Sequence, residues 1–181
     1  MTAERGLLDD ATWRLCQESV PIVCVDVVPL RGDGHGGVAS IGLIRRTTAI
    51  PSDGERWMTI GGRLRRGERI AAAIAREVRE ALGPGARVAL PASPTPTAVA
   101  EYAPGIRDDG PYDPRQHAVG LTYACPVEGE LRPGGEAAAF RWFDPRELPT
   151  RGEYGFGQWS AVADVLDRLG LADAASRVRG R

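Results

Sequence analysis

Apolar and polar positions alternate along the chain in two distinct rhythms. Pro21 to Leu30 and Val38 to Thr48 are rich in β-branched residues and flank the Gly-rich stretch Arg31 to Gly37, which predicts a hairpin. Ser52-Asp53-Gly54 predicts another turn, Trp57 to Ile60 a short strand, and Gly61-Gly62 a break of unusual backbone freedom. From Glu68 to Leu82 the period lengthens. Ile70, Ile74, Val78 and Leu82 recur every fourth residue as the apolar stripe of a helix, and Gly83-Pro84 supplies its stop. Strands are expected again at Arg87 to Leu90, Val99 to Tyr102, Ala118 to Val127 and Phe140 to Phe143. A closing amphipathic helix spans Trp159 to Leu169, with Val162, Val165, Leu166 and Leu169 inward.

The ends and the long loop complete this outline. Asp9 and Asp10 precede a short helix over residues 11–16 that stops before Pro21, so residues 1–19 read as a helical extension. Residues 172–181 are expected to be a frayed tail. The polar loop Pro104 to Gln116 is long enough to serve a function. A length of 181 residues without a repeat or a shift of composition predicts one domain over 1–181, and 23 glycines with 14 prolines argue against a helix bundle. Mixed strands and helices, an α/β fold, are therefore expected.

Composition narrows the partners. All 23 basic residues are arginines, and they face 24 acids for a formal net charge of −1, so a nucleic-acid or general polyanion binder is not expected. Cys16, Cys24 and Cys125 are odd in number, widely spaced and set among apolar residues; neither a zinc site nor a disulfide framework is indicated. The opening residues carry an acid early and no long apolar run, so neither a secretory leader nor a membrane span is expected, and the cytoplasm is the expected location. Trp57 and Tyr102 could stack a base, but aromatic residues in strands more often belong to a core.

The chemistry concentrates in residues 61–83. On a helix, Glu77 and Glu80 lie three apart beside the apolar stripe, so two carboxylates can converge on one hard divalent cation. The competing reading pairs Arg76 with Glu80 at i,i+4 on a solvated face. The wider spacing resembles the Nudix box: Gly62, Glu68, Arg76, Glu77, Val78, Glu80 and Gly83 all fall in register, while Ala81 stands where that box carries a second acid of its Glu-Glu pair. Strands before the box, the box helix, strands after it and a final helix also match that family from Val20 to Leu171.

The resemblance implies a Nudix-type α/β/α sandwich with a mixed sheet. It also implies a hydrolase of a nucleoside diphosphate derivative, a nucleotide sugar or a related pyrophosphate, using Mg²⁺ or Mn²⁺. The metal ligands it suggests are the carbonyl of Gly61, the carboxylates of Glu77 and Glu80, and Glu136 from a distant loop. Within the family, residues 20–26, 45–47, 61–63 and 140–142 are most similar to the GDP-mannose mannosyl hydrolase branch and related Nudix-like proteins, which casts Asp26, Arg46 and Arg63 as substrate contacts and suggests a homodimer. Arg46 and Arg63 could clamp a diphosphate bidentately and offset charge on a leaving nucleotide, giving Arg63 a catalytic part beside Glu77 and Glu80. That branch has a histidine base after its distant ligand, where this chain has Ala137. The expected base is thus Glu80, Glu77 or His117, with a glutamate preferred for activating water and His117 expected as an imidazole contact to the substrate. A catalytically silent Nudix-fold nucleotide-binding or regulatory module is the alternative, motivated by Ala81 and Ala137.

Overall fold

A computed structural model of the protein describes residues 8–47, 54–105 and 110–180. The turn expected at Ser52-Asp53 lies outside them, as do Thr48 and the middle of the 104–116 loop.

The two β-branched runs become β1 (Ile22–Gly32) and β2 (Val38–Thr47), an antiparallel hairpin with Leu30 opposite Ile41. β3 (Glu55–Met58) and β8 (Ala139–Phe143) both pair with β2. β4 (Ile60–Arg63) pairs antiparallel with β1, while β7 (Ala118–Gly129) runs parallel to β1 from Ile22/Ala118 to Leu30/Pro126. β5 (Ala86–Val88) and β6 (Ala98–Tyr102) flank β7. This is a mixed sheet centred on β1, whose residues Val25, Asp26, Val27, Val28 and Pro29 are all buried, as expected of a strand covered on both faces.

Helices provide the covers. α2 (Ile70–Leu82) lays Ala73, Ile74, Val78 and Leu82 against Val25, Val27 and Ile60, and ends where Gly83 takes a φ of 85° and donates its N–H to the Arg79 carbonyl at 2.9 Å. α3 (Trp159–Arg168) packs Val162, Val165 and Leu166 with Val28, Ile41 and Leu43 in the second core. Two apolar clusters on opposite faces of one sheet make the α/β/α sandwich expected from the sequence. Among the described residues no helix is long and apolar enough to cross a membrane.

Three expectations are corrected. Residues 172–179 are not frayed: Ala172–Arg179 forms α4, with Ala174, Ala175 and Val178 buried and Arg179 bridging Asp164 at 2.8 Å and Asp167 at 2.7 Å. Its inward face is built mainly of alanine, whose small size produces little hydrophobic contrast. α2 begins at Ile70 rather than at Glu68, because the Glu68 side chain is engaged outside the helix. Gly61 and Gly62 are ordinary strand residues without positive φ. They are small because a Cβ on Gly61 would lie 2.5 Å from Asp26 Oδ1, and one on Gly62 2.5 Å from Glu77 Oε1.

The expected N-terminal helix is α1 (Asp10–Ser19), capped by Asp9, whose carboxylate accepts the N–H of Thr12 at 3.0 Å. It buries none of its residues fully.

Candidate active site

The box helix and β4 meet along one side of a cleft. Arg76 on α2 is its organising cation. Its guanidinium donates to Glu68 from Nε at 2.8 Å and from a terminal nitrogen at 2.9 Å, to Glu77 at 2.5 Å, and to the carbonyl of Arg63 at 3.2 Å. The contact with Glu80 is longer, 3.4 Å. The i,i+4 pairing allowed by the sequence is present, but as the weakest strut of a larger network. Glu68 in turn accepts the backbone N–H of Arg65 at 3.1 Å, which ties the loop before α2 to the helix. Hydrogen bonds from Arg76 hold the Glu68 carboxyl below its ordinary range, and raise the pKa of Arg76 itself.

Glu77 and Glu80 have different surroundings. The Glu77 side chain is largely buried, and burial raises its pKa against the pull of Arg76, with the charge of Glu80 adding to the rise. Glu80 is half exposed and, among the described residues, its carboxylate pairs with Arg65 and Arg76, each at 3.4 Å. Both line a cavity of about 430 Å³ together with Gly61, Arg46, Ala81 and Glu136. Glu136 ion-pairs with Arg46 rather than joining the two helix acids, and among the described residues no group of three or more His, Cys, Asp or Glu side chains converges on a metal-sized point. The donor set is two carboxylates whose mutual repulsion a dication would relieve, which fits Mg²⁺ held by one or two carboxylates plus substrate phosphates.

Beyond Gly61, Gly62 and Arg63 the cleft continues into a second cavity of about 270 Å³, on whose wall lies Asp26. Asp26 sits on β1 opposite Gly61 and is 7% exposed. Burial pushes its carboxyl up to about 7, opposed by a hydrogen bond from Thr59, whose hydroxyl lies 3.3 Å from Oδ1. The same hydroxyl is 3.1 Å from Gln158 Oε1, which also accepts the Thr59 N–H at 2.9 Å. Asp113 accepts three hydrogen bonds from Arg115, two at 2.9 Å and one at 2.8 Å, and the Arg115 guanidinium lies 4.9 Å from the centroid of Phe156. Phe156 has a φ of 53°, the one positive value for a non-glycine among the described residues, a strained backbone at the cleft wall.

Of the residues singled out from sequence, Asp26, Arg46, Gly61, Arg63 and Glu136 line this second cavity, and Arg46, Gly61, Arg63, Glu77, Glu80 and Glu136 line the first. His117 is absent from both. Gln116 and Ala118 face the cleft, so the intervening side chain points the other way, and His117 Nε2 pairs with Glu101 at 2.8 Å. The expected imidazole contact is thereby corrected. Sequence reasoning missed Trp13, Gln17, Gln116, Phe156 and Gln158, and read Tyr102 as core although it also faces the cavity. The Gln116/Ala118 alternation at the start of β7 was the one local signal available.

A family model described as "Domain of unknown function (DUF4916)" matches residues 3–162. The chain belongs to the DUF4916 family. A search of the curated proteins finds no match. Among solved structures, this DUF4916 chain is similar to one from Jonesia denitrificans described as a possible asymmetric diadenosine tetraphosphate hydrolase: 35% identity, 85% of this chain and 98% of that one covered, TM-score 0.76. A MutT Nudix hydrolase from Burkholderia pseudomallei is 26% identical over 72% of this chain and 88% of its own, with a TM-score of 0.53. An ADP-ribose pyrophosphatase from Streptococcus suis shares the fold at 20% identity, covering 87% and 93% of the two chains, TM-score 0.52. The structural neighbours of this DUF4916 protein are therefore Nudix hydrolases.

Proposed function

We propose that the protein is a divalent-cation-dependent hydrolase of a nucleoside diphosphate derivative, a dinucleoside polyphosphate, nucleotide sugar or related pyrophosphate. The observation that carries this reading is the continuity of the cleft. Two helix carboxylates at one end and two arginines, Arg46 and Arg63, border the same pair of adjoining cavities. Acids that would hold a cation and arginines that would meet phosphate oxygens are the two halves of a diphosphate site.

The roles follow from the contacts. Glu77 and Glu80, with the Gly61 carbonyl, would hold Mg²⁺ or Mn²⁺. Bound there, the cation would neutralise phosphate charge and polarise the scissile bond. Glu77 is locked by Arg76, whereas Glu80 is half exposed and loosely held, so Glu80 is the carboxylate free to take a proton from attacking water. Arg63 and Arg46 would receive the phosphates, and Glu136 orients Arg46 through their ion pair. No histidine lines the cleft, and Ala137 is buried, so the base of the mannosyl hydrolase branch has no counterpart here. Attack at phosphorus with a glutamate base is the reading this favours.

A second reading rests on Ala81. It lines the cavity with a methyl group where the box it resembles carries a carboxylate. A silent nucleotide-binding module would retain the arginines and lose turnover.

The deciding experiment is hydrolysis of dinucleoside polyphosphates, nucleoside diphosphate sugars, ADP-ribose and nucleoside triphosphates with Mg²⁺ or Mn²⁺, run on the wild type, Glu77→Gln and Glu80→Gln. Turnover that falls on the order of 10²–10⁴-fold in both variants is expected. Nucleotide binding without turnover in the wild type would favour the silent module, and neither binding nor turnover would overturn both readings.

A further inference from the structure

α1 does not complete the core: none of its residues is fully buried, and Leu15 is 63% exposed. What it turns inward is Trp13, Cys16 and Gln17, a single helical face. Trp13 and Gln17 line the cavity that contains Asp26, and Gln17 Nε2 donates to Gln116 Oε1 at 2.9 Å across its rim. The helix is thus laid over the cleft, and its capped first turn fixes where Trp13 stands.

The ring of Trp13 faces Arg63, whose guanidinium carbon lies 4.1 Å from the ring centroid. Arg63 ends β4, directly after the two glycines, and its carbonyl is held by Arg76. Among the described residues its guanidinium has no hydrogen bond and no ion pair, although Asp26 and Glu136 line the same cavity. That is unusual for an arginine in an acidic cleft, where a bidentate carboxylate pair is the favoured partner. The cation–π contact resolves it. A guanidinium placed over an aromatic face is held by the charge distribution of the ring, which takes none of its N–H donors as conventional hydrogen bonds.

We propose that Trp13 is a positioning residue for Arg63: the indole carries the guanidinium so that its donors stay open to a phosphate of the substrate. This rests on the reading of the cleft as a diphosphate site. It assigns the N-terminal helix a part in binding, and the ligand group it serves is a phosphate.

The test is calorimetric titration with inorganic pyrophosphate in excess Mg²⁺, on the wild type, Trp13→Leu, Trp13→Phe, Arg63→Ala and the double variant Trp13→Leu/Arg63→Ala. Removing the π face should weaken binding by about three- to thirtyfold, the range of a cation–π contact between exposed and desolvated settings. Trp13→Phe should restore most of the loss, which a purely steric role would not predict. The double variant should bind no worse than Arg63→Ala alone, because Trp13 acts through Arg63. Thermal unfolding of each variant checks the fold, and α1 buries too little for Trp13→Leu to unfold the chain. Losses that multiply in the double variant, an unaltered Trp13→Leu, or no pyrophosphate binding by the wild type each overturn the proposal. Turnover on the nucleotide panel is read separately, so a working hydrolase with an indifferent Trp13 would defeat this inference and leave the proposed function standing.

Discussion

Around Arg76, three carboxylates lie within hydrogen-bonding or ion-pairing reach of one guanidinium; around Asp26, one buried carboxylate meets a threonine, which is itself bonded to a glutamine. Both regions line the same cleft, and both place acids where water is scarce. At the first, charge is kept by pairing, and Glu68 titrates below its ordinary range because Arg76 hydrogen-bonds it. At the second, among the described residues no cation hydrogen-bonds the carboxyl, and burial lifts Asp26 to about 7 against the Thr59 hydrogen bond and the more distant charge of Arg46. Burial and pairing therefore compete: Glu68, the least buried of the three, is held low by Arg76, Glu77 is raised by burial in spite of Arg76, and Asp26, the most deeply buried, is raised furthest.

The largest effect that follows concerns Asp26. Between an unfolded pKa of about 4 and a folded one of about 7, the native state keeps a proton that the unfolded chain has released. Its contribution to stability is then lost as pH rises through that window. From pH 5 to pH 8 the penalty should grow by about 3 kcal/mol at most, from ~1.4 kcal/mol per unit. Asp26→Asn should abolish that slope, so that in urea unfolding with EDTA the variant gains on the wild type as pH rises. A difference between the two proteins that does not vary with pH would mean Asp26 is ionised throughout, and the contrast with the Arg76 cluster would collapse.

Arg76→Ala attacks the other region. It strands Glu68 and Glu77, whose side chains are 15% and 13% exposed. The expected loss is about 2–3 kcal/mol, somewhat below the ~3–5 for breaking a fully buried pair. That is a fall in Tm of roughly 5–10 °C for a chain of this size. Arg76→Lys should recover little of it, since one ammonium cannot take both oxygens of Glu68 while also meeting Glu77 and the Arg63 carbonyl. Differential scanning calorimetry of the two variants decides this; a lysine that restores wild-type stability would show that charge alone, not the fork, holds the cluster.

The same contrast explains what could be read from the amino-acid order. The Arg76 region is nearly contiguous: its members fall within residues 63–80, on the end of β4, one loop and one helix, so spacing alone brings Glu77 and Glu80 together and suggests Arg76 as a partner of Glu80. The Asp26 region is assembled from β1, the link between β3 and β4, and the approach to α3. Gln158 has no local feature to distinguish it from any polar residue ahead of a helix, and Trp13 resembles a routine helix aromatic until β4 ends beneath it. His117 is expected at the cleft, but alternation at the start of β7 gives that side to Gln116 and Ala118 and turns His117 toward Glu101, which depends on where β7 begins. The strands and long helices were legible because their periodicity is strong. α4 was not, because an alanine face carries almost no contrast.

Gln158→Leu tests the smallest term, and how the Asp26 region is held without ions. Gln158 is 7% exposed, and its Oε1 accepts both the N–H and the hydroxyl of Thr59. The Thr59 hydroxyl has one hydrogen and two neighbouring acceptors, Gln158 and Asp26. With Asp26 ionised, Thr59 can satisfy only one of the two; a protonated Asp26 would reverse that hydrogen bond by donating to the Thr59 oxygen, freeing Thr59 to donate to Gln158. Leucine would leave the buried Thr59 N–H without a partner, at a cost of about 1–2 kcal/mol. Gln158→Glu keeps an acceptor at that position but, once ionised, adds a negative charge close to Asp26. Its stability by urea titration should match the wild type near pH 5 and fall behind it by pH 8, because two acids then compete for one donor. Were Gln158→Glu as stable as the wild type at both pH values, Thr59 would not be relaying between them, and the buried carboxyl of Asp26 would be a matter of desolvation alone.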